Sequence, residues 1–144
     1  MDNFGKSAFF QKLWFYTVFN ATFGSCAKIW IEIQDIFRVK KEYMLNKLNA
    51  MNFVIETEPE STFYIWANLK KLPKPLNNAL NFFEECLKEK VITVPGIFFD
   101  VNPGKRRLLK HSRYLNYVRL SFGPSLDSIK TGLKNIEKVV KKFS

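Results

Sequence analysis

The run Tyr117-Val118-Arg119-Leu120-Ser121-Phe122, closed by Gly123-Pro124, constrains this chain more than any other stretch. It is the length of a strand, and in a strand successive side chains point to opposite faces. Val118, Leu120 and Phe122 then share one face, and Tyr117, Arg119 and Ser121 the other. The apolar trio should pack under helices, which leaves a guanidinium fixed on the face away from the core. A planar fork of donors in that position suits bidentate binding of a carboxylate. Arginine is more often found on a solvated strand face or in a structural ion pair. The strand alone leaves all three readings open.

What precedes this strand adds a turn and a basic loop. Val94-Pro95-Gly96 ends a short apolar run. Pro-Gly gives a tight turn, and glycine lets backbone approach a neighbour or a ligand closely. Residues 100–112 contain Asn102-Pro103-Gly104 and read as an exposed loop. Lys105, Arg106, Arg107 and Lys110 crowd it, with His111 and Arg113 at its end. His111 is the only histidine of the chain. With no carboxylate, serine or cysteine partner close in sequence, it reads as a surface residue.

From Arg38 the pattern turns regular. Val39, Tyr43, Met44, Leu45, Leu48 and Met51 recur at helical spacing, which predicts an amphipathic helix ending near Asn52. Phe53-Val54-Ile55 suggests a short strand. Residues 62–69, TFYIWANL, are β-branched and aromatic and predict another. Two prolines in 70–75 predict a turn or a helix entry. A second amphipathic helix is predicted over 76–90, with Leu76, Leu80, Phe83 and Leu87 on its buried side. A short strand follows over 91–94. Ser125 then caps a last helix, with Asp127 in its first turn and Lys141-Lys142 at its end complementing the helix dipole. Ile129, Leu133, Ile136, Val139 and Val140 supply its buried face. Short strands separated by helices predict an α+β fold, a small and mostly antiparallel sheet covered by helices on one face.

Residues 1–37 form a separate, aromatic-rich N-terminal segment, and 38–144 the regular domain. The run LWFYTVFNATFGSCA, residues 13–27, carries no charge. It is shorter than the about 20 apolar residues a membrane span requires. It also lacks the order of a signal peptide, since Asp2 precedes the first lysine and no cleavage site is evident. A helix packed on another domain or subunit, or a sequence altered by truncation, accounts for it better, and no membrane partner is expected.

The whole chain has 144 residues, 47% of them hydrophobic and 25% charged, enough for one core and unlike a disordered chain. Its net charge of +10 would suit nucleic acid or an anionic surface. The lysines are spread along predicted helices, and no zinc-finger spacing, RNP motif or helix-turn-helix pattern accompanies them. Nucleic acid is therefore not an expected partner. Cys26 and Cys86 have no metal-ligand spacing and read as reduced thiols of a cytoplasmic protein. No metal site is expected. Ser25-Cys26-Ala27-Lys28 has an S-x-x-K form, a pattern that recurs by chance, and Lys28 reads as an exposed lysine.

In order and spacing these pieces resemble the C-terminal small domain of class I/II (fold type I) pyridoxal-phosphate-dependent aminotransferases. The matching pieces are a helix, Phe63-Tyr64-Ile65-Trp66, a long helix, Val94-Pro95-Gly96 followed by Phe98-Phe99, the Tyr117–Phe122 strand and a closing helix. The resemblance implies that Arg119 binds the substrate α-carboxylate. It also implies that Pro95, Gly96, Ile97 and Phe98 line the site near its entrance. Amino acids and 2-oxo acids are then the substrates, pyridoxal phosphate the cofactor and a homodimer the assembly of the complete enzyme. Ser61 stands where the family usually has glycine. No stretch supplies a Schiff-base lysine, an aspartate for the pyridine nitrogen or an Asn and Tyr pair for the cofactor oxygen. The catalytic lysine is accordingly unassigned. The chain is expected to be a fragment without the cofactor-binding large domain, inactive and free of cofactor by itself. The rival expectation is a non-catalytic binding or regulatory module whose basic surface meets an anionic partner.

Overall fold

A computed structural model describes the backbone of residues 4–101, 108 and 111–144, and side chains within these from residue 27 onward. Its elements are helix α1 (Phe4–Ala50), strand β1 (Tyr64–Asn68), helix α2 (Ala79–Lys88) and strand β2 (Val94–Pro95). A 3-10 turn (Gly96–Phe99), strand β3 (Tyr117–Ser121) and helix α3 (Leu126–Lys142) complete the order. The chain forms two compact units, Met1–Arg38 and Val39–Ser144. In the first, Asp35 accepts a 3.0 Å bond from Arg38, and Ile29, Trp30, Ile31, Ile33 and Ile36 are exposed.

The second unit is built on a three-stranded antiparallel sheet of order β1-β3-β2. In β1 and β3, Tyr64 pairs with Ser121, Trp66 with Arg119 and Asn68 with Tyr117. Val94 and Pro95 of β2 pair with Arg119 and Val118 from the other side. A strand containing proline has no N–H to give a further neighbour, so it belongs at a sheet edge. β3 is consequently central, and Arg119 has a strand on each flank.

The alternation of β3 holds. Val118, Leu120 and Phe122 are buried, as are Ile65 and Ala67 of β1. Met44, Leu45 and Leu48 of α1, Phe82 and Cys86 of α2, and Ile129, Leu133, Ile136, Val139 and Val140 of α3 are buried as well. This is the expected α+β arrangement, and every predicted core position of the last helix is in the core. Ser125 caps α3 by accepting from the Ser128 N–H at 3.3 Å. Phe53 meets Phe82 edge-on, with ring centroids 5.7 Å apart.

Both α1 and α2 end in the same way. Asn52 and Lys90 adopt positive φ, 65° and 61°. Phe53 N–H donates to the Leu48 carbonyl, and Val91 N–H to that of Cys86. Asn52 N–H reaches Asn49, and Lys90 N–H reaches Leu87. These paired bonds cap the last carbonyls of a helix and turn the chain sharply away.

Several expectations need correction. Val39 is exposed rather than part of the helix's buried face. Residues 53–55 contribute only a single bridge, Val54 to Asn68, instead of a strand. The strand expected over 91–94 shrinks to Val94–Pro95. The second helix starts at Ala79, where Asn78 accepts from the N–H groups of Leu80 and Asn81. Its buried residues are Ala79, Phe82 and Cys86, while Leu87 is exposed. Leu76 is buried, but in the turn before the helix, so it does not set the helical phase. Among the described residues no helix is long and apolar enough to cross a membrane.

Candidate carboxylate-binding site

The face of the sheet away from the core carries Tyr64, Trp66 and Asn68 from β1, and Tyr117, Arg119 and Ser121 from β3. Five of these six are half-buried, and Ser121 is exposed. The Arg119 guanidinium lies over the rings of Tyr64 and Phe99, 5.1 and 4.8 Å from their centroids. Such contacts use the charge of the cation against the negative ring face and leave its N–H bonds uncommitted. Among the described residues no side chain or carbonyl accepts from Arg119, and no carboxylate pairs with it. The result is a charged fork held by rings, with its donors free for an anion.

Trp66 organises the rest of this face. It meets Phe99 and Tyr114 edge-on, each at 5.6 Å, and stacks on Tyr117 at 5.7 Å with 19° between planes. Tyr117 is fixed at its far end. Its hydroxyl donates to Glu56 Oε1 at 2.7 Å, and Asn68 Nδ2 donates to the same oxygen at 2.9 Å. The Tyr117 hydroxyl holds the Glu56 carboxyl below its ordinary range, and the Asn68 amide adds to this. Glu56 in turn raises the Tyr117 phenol. Ser121 is occupied elsewhere, donating to the Phe63 carbonyl at 3.3 Å and accepting from the Gly123 N–H.

Of the positions expected to line the site, Pro95, Gly96 and Ile97 are buried and Phe98 is 68% exposed. A Cβ on Gly96 would stand 2.8 Å from the carbonyl oxygens of both Tyr114 and Tyr117. Glycine is needed here so that the turn can lie against the start of β3. Phe99, rather than Phe98, reaches Arg119. Sequence reasoning missed Phe99 and Tyr114 as members of this face. The consecutive aromatics after Pro-Gly were the available signal. Of the basic loop, 102–107 and 109–110 lie outside the described residues, so Lys105, Arg106, Arg107 and Lys110 are not placed. His111 and Arg113 are exposed, and Arg113 approaches the face only at Tyr114, 6.0 Å from the ring centroid. Lys28 is exposed, and Cys26 lies outside the described side chains. Cys86 is a buried free thiol, raised to about 12 mainly by burial.

No lysine occupies the strand positions that share the Arg119 face. Lys40 and Lys41 donate to the carbonyls of Gly123 and Pro59, Lys88 and Lys142 pair with Glu85, and Lys141 pairs with Glu137. No carboxylate stands on those strand positions to meet a pyridine nitrogen either.

A central strand offering one arginine, a Pro-Gly turn packed beside it and helices on the opposite face resemble the C-terminal small domain of fold type I aminotransferases. The chain is similar to known aminotransferases. No family model matches the chain. An aspartate aminotransferase of Sulfurisphaera tokodaii is 24% identical over 111 residues, which cover 76% of this chain and 25% of that protein. The solved aspartate aminotransferase of Thermotoga maritima matches with a TM-score of 0.57 and 25% identity, over 76% of this chain and 24% of that one. The aromatic aminotransferase of Pyrococcus horikoshii matches with a TM-score of 0.63 and 21% identity, over 80% and 27%. The chain thus spans about a quarter of the length of the relatives it matches.

Proposed function

We propose that this chain is the carboxylate-binding small domain of a pyridoxal-phosphate-dependent aminotransferase. In this reading Arg119 holds the α-carboxylate of an amino acid or 2-oxo acid, with Pro95, Gly96, Ile97 and Phe98 near the entrance of the site. One observation carries the proposal. Arg119 is half-buried and held against two rings, and its donors meet no acceptor among the described residues. An arginine kept for structure has its charge matched by a carboxylate or its donors matched by carbonyls. The names of the relatives support the same reading.

The cofactor and its lysine fall to a large domain, so this chain by itself neither holds pyridoxal phosphate covalently nor transfers an amino group. The complete enzyme is, in this reading, a cytoplasmic homodimer. The role of Arg119 there is to fix the orientation of the amino acid by two parallel hydrogen bonds, which sets the direction of its Cα–H bond.

Titration calorimetry of the 144-residue chain with acetate tests the central claim. Acetate should bind weakly to the wild type, about tenfold more weakly to Arg119→Lys, which keeps the charge and loses the fork, and undetectably to Arg119→Ala. Equal acetate binding by wild type and Arg119→Ala would remove Arg119 from the site.

A further inference from the structure

The end of α1 and the middle of α3 leave a groove of about 420 Å3 between them, within the Val39–Ser144 unit. That size falls in the range of roughly 300–1,000 Å3 that small-molecule sites occupy. Lys47 in the last turn of α1 and Lys130 and Lys134 of α3 line it, and all three are exposed. Lys130 and Lys134 stand one helical turn apart and so share a face of α3. Tyr43 and Met51, both half-buried, add an apolar wall. The carboxylate that lines the groove, Glu137, is already paired with Lys141 at 2.6 Å. This bond holds the Glu137 carboxyl below its ordinary range, and the charges of Lys47 and Lys134 add to the effect, so both lysines converge on this point. Lys130 approaches Asp127 only to 3.8 Å, and neither Lys47 nor Lys134 forms an ion pair among the described residues.

We propose that this groove binds a small organic phosphate, a molecule with two or more phosphate charges on a partly apolar body. A solvated helix face spreads its lysines apart, whereas here two helices bring theirs to one concavity. Three ammonium groups beside a carboxylate that is already paired leave a surplus of positive charge, which a multiply charged anion matches. Lysine meets phosphate as a compact point charge, while the planar fork of arginine is what suits a lone carboxylate, and no arginine lines the groove. The apolar body of the ligand covers Tyr43 and Met51, which adds contact area that inorganic phosphate cannot use. The inference is independent of the carboxylate reading, because Arg119 stands on the face of the sheet away from the helices.

Calorimetric or ligand-observed NMR titration of the whole chain with ADP, pyrophosphate and adenosine, at low ionic strength, tests this. ADP should bind about tenfold more tightly than pyrophosphate, adenosine should not bind detectably, and added salt should weaken the binding of both anions. The double variant Lys47→Gln with Lys134→Gln should weaken ADP at least tenfold, and Glu137→Gln should tighten it severalfold. Lys138→Gln, on α3 but outside the groove, should leave ADP binding unchanged. These side chains are half-buried or exposed, so the substitutions leave the core intact. Failure of ADP to bind overturns the inference, and so does adenosine binding as tightly as ADP. Equal weakening by Lys138→Gln and by the double variant overturns it as well, since the effect would then be one of general charge. ADP binding that survives the double variant but is lost in Arg119→Ala also overturns it, by moving the phosphate to the other face of the sheet.

Discussion

The two faces of the three-stranded sheet are made from alternate residues of the same strands, yet they share almost no chemistry. One face presents Ile65, Ala67, Val118 and Leu120, all buried and aliphatic. The other presents Tyr64, Trp66, Tyr117 and Arg119, all half-buried, with a charge among rings. On the aliphatic face, free energy scales with area removed from water, and any missing methylene leaves a cavity. On the aromatic face the groups hold each other in place without being fully desolvated, which keeps a cation available for exchange with solvent or ligand. The difference teaches that folding and recognition are divided here by the two-residue period of a strand, with no separate loop needed to carry the recognising residue.

That division can be broken by substitution. Leu120→Ala should cost roughly 2–5 kcal/mol in urea unfolding, the range for deleting a buried leucine side chain. Gly96→Ala drives a methyl group into the backbone of Tyr114 and Tyr117 and should cost about 1–3 kcal/mol by the same measurement. Arg119→Leu, by contrast, should lower stability by no more than about 1–2 kcal/mol, the worth of partly buried contacts between a cation and rings. A loss as large as that of Leu120→Ala would mean that Arg119 belongs to the folding face after all.

The smallest effect concerns Glu56 and Tyr117, and it sharpens the comparison through pH. Glu56 is depressed in the folded state, so its contribution is present above the ordinary carboxylate value and is lost as pH falls through the folded one. Tyr117 is raised, so its contribution is present below the ordinary phenol value near 10 and is lost as pH rises through the folded one. Tyr117→Phe removes the bond between them. The unfolding midpoints of wild type and variant should therefore differ near neutral pH and converge toward both acid and alkaline ends. A constant gap across the range would show that the hydroxyl acts through packing alone.

How much of this was legible in the sequence depends on how regular the backbone is. α3 was fully legible because seventeen helical residues leave one phase for its apolar stripe. α2 was not, because two apolar rows one residue apart compete in it. Leu80, Phe83 and Leu87 form one row, and Ala79, Phe82 and Cys86 the other. The Asn78 cap and the Phe53–Phe82 contact accompany the second row, and neither follows from periodicity. At the site, the side on which Arg119 points follows from alternation, and so does that of Trp66. Their pairing across strands does not, because register is a tertiary property. The aromatics after Pro-Gly drew attention to Phe99, but the directions of Phe99 and Tyr114 come from a 3-10 turn and a turn where no repeat fixes a side chain.

The place of Arg119 on the middle strand has a consequence for how such a domain can change. Trp66 and Val94 flank it through two hydrogen-bonded ladders, so its amide should be among the slowest to exchange with deuterium, opening only when the whole unit unfolds. The point from which the guanidinium swings is therefore nearly fixed for the life of the folded molecule. Evolution can alter the reach and company of that side chain by exchanging Phe99, Tyr114 or Tyr64, at small risk to the fold. It cannot move the anchor without dismantling the sheet, so a new ligand has to be fitted to an old pivot.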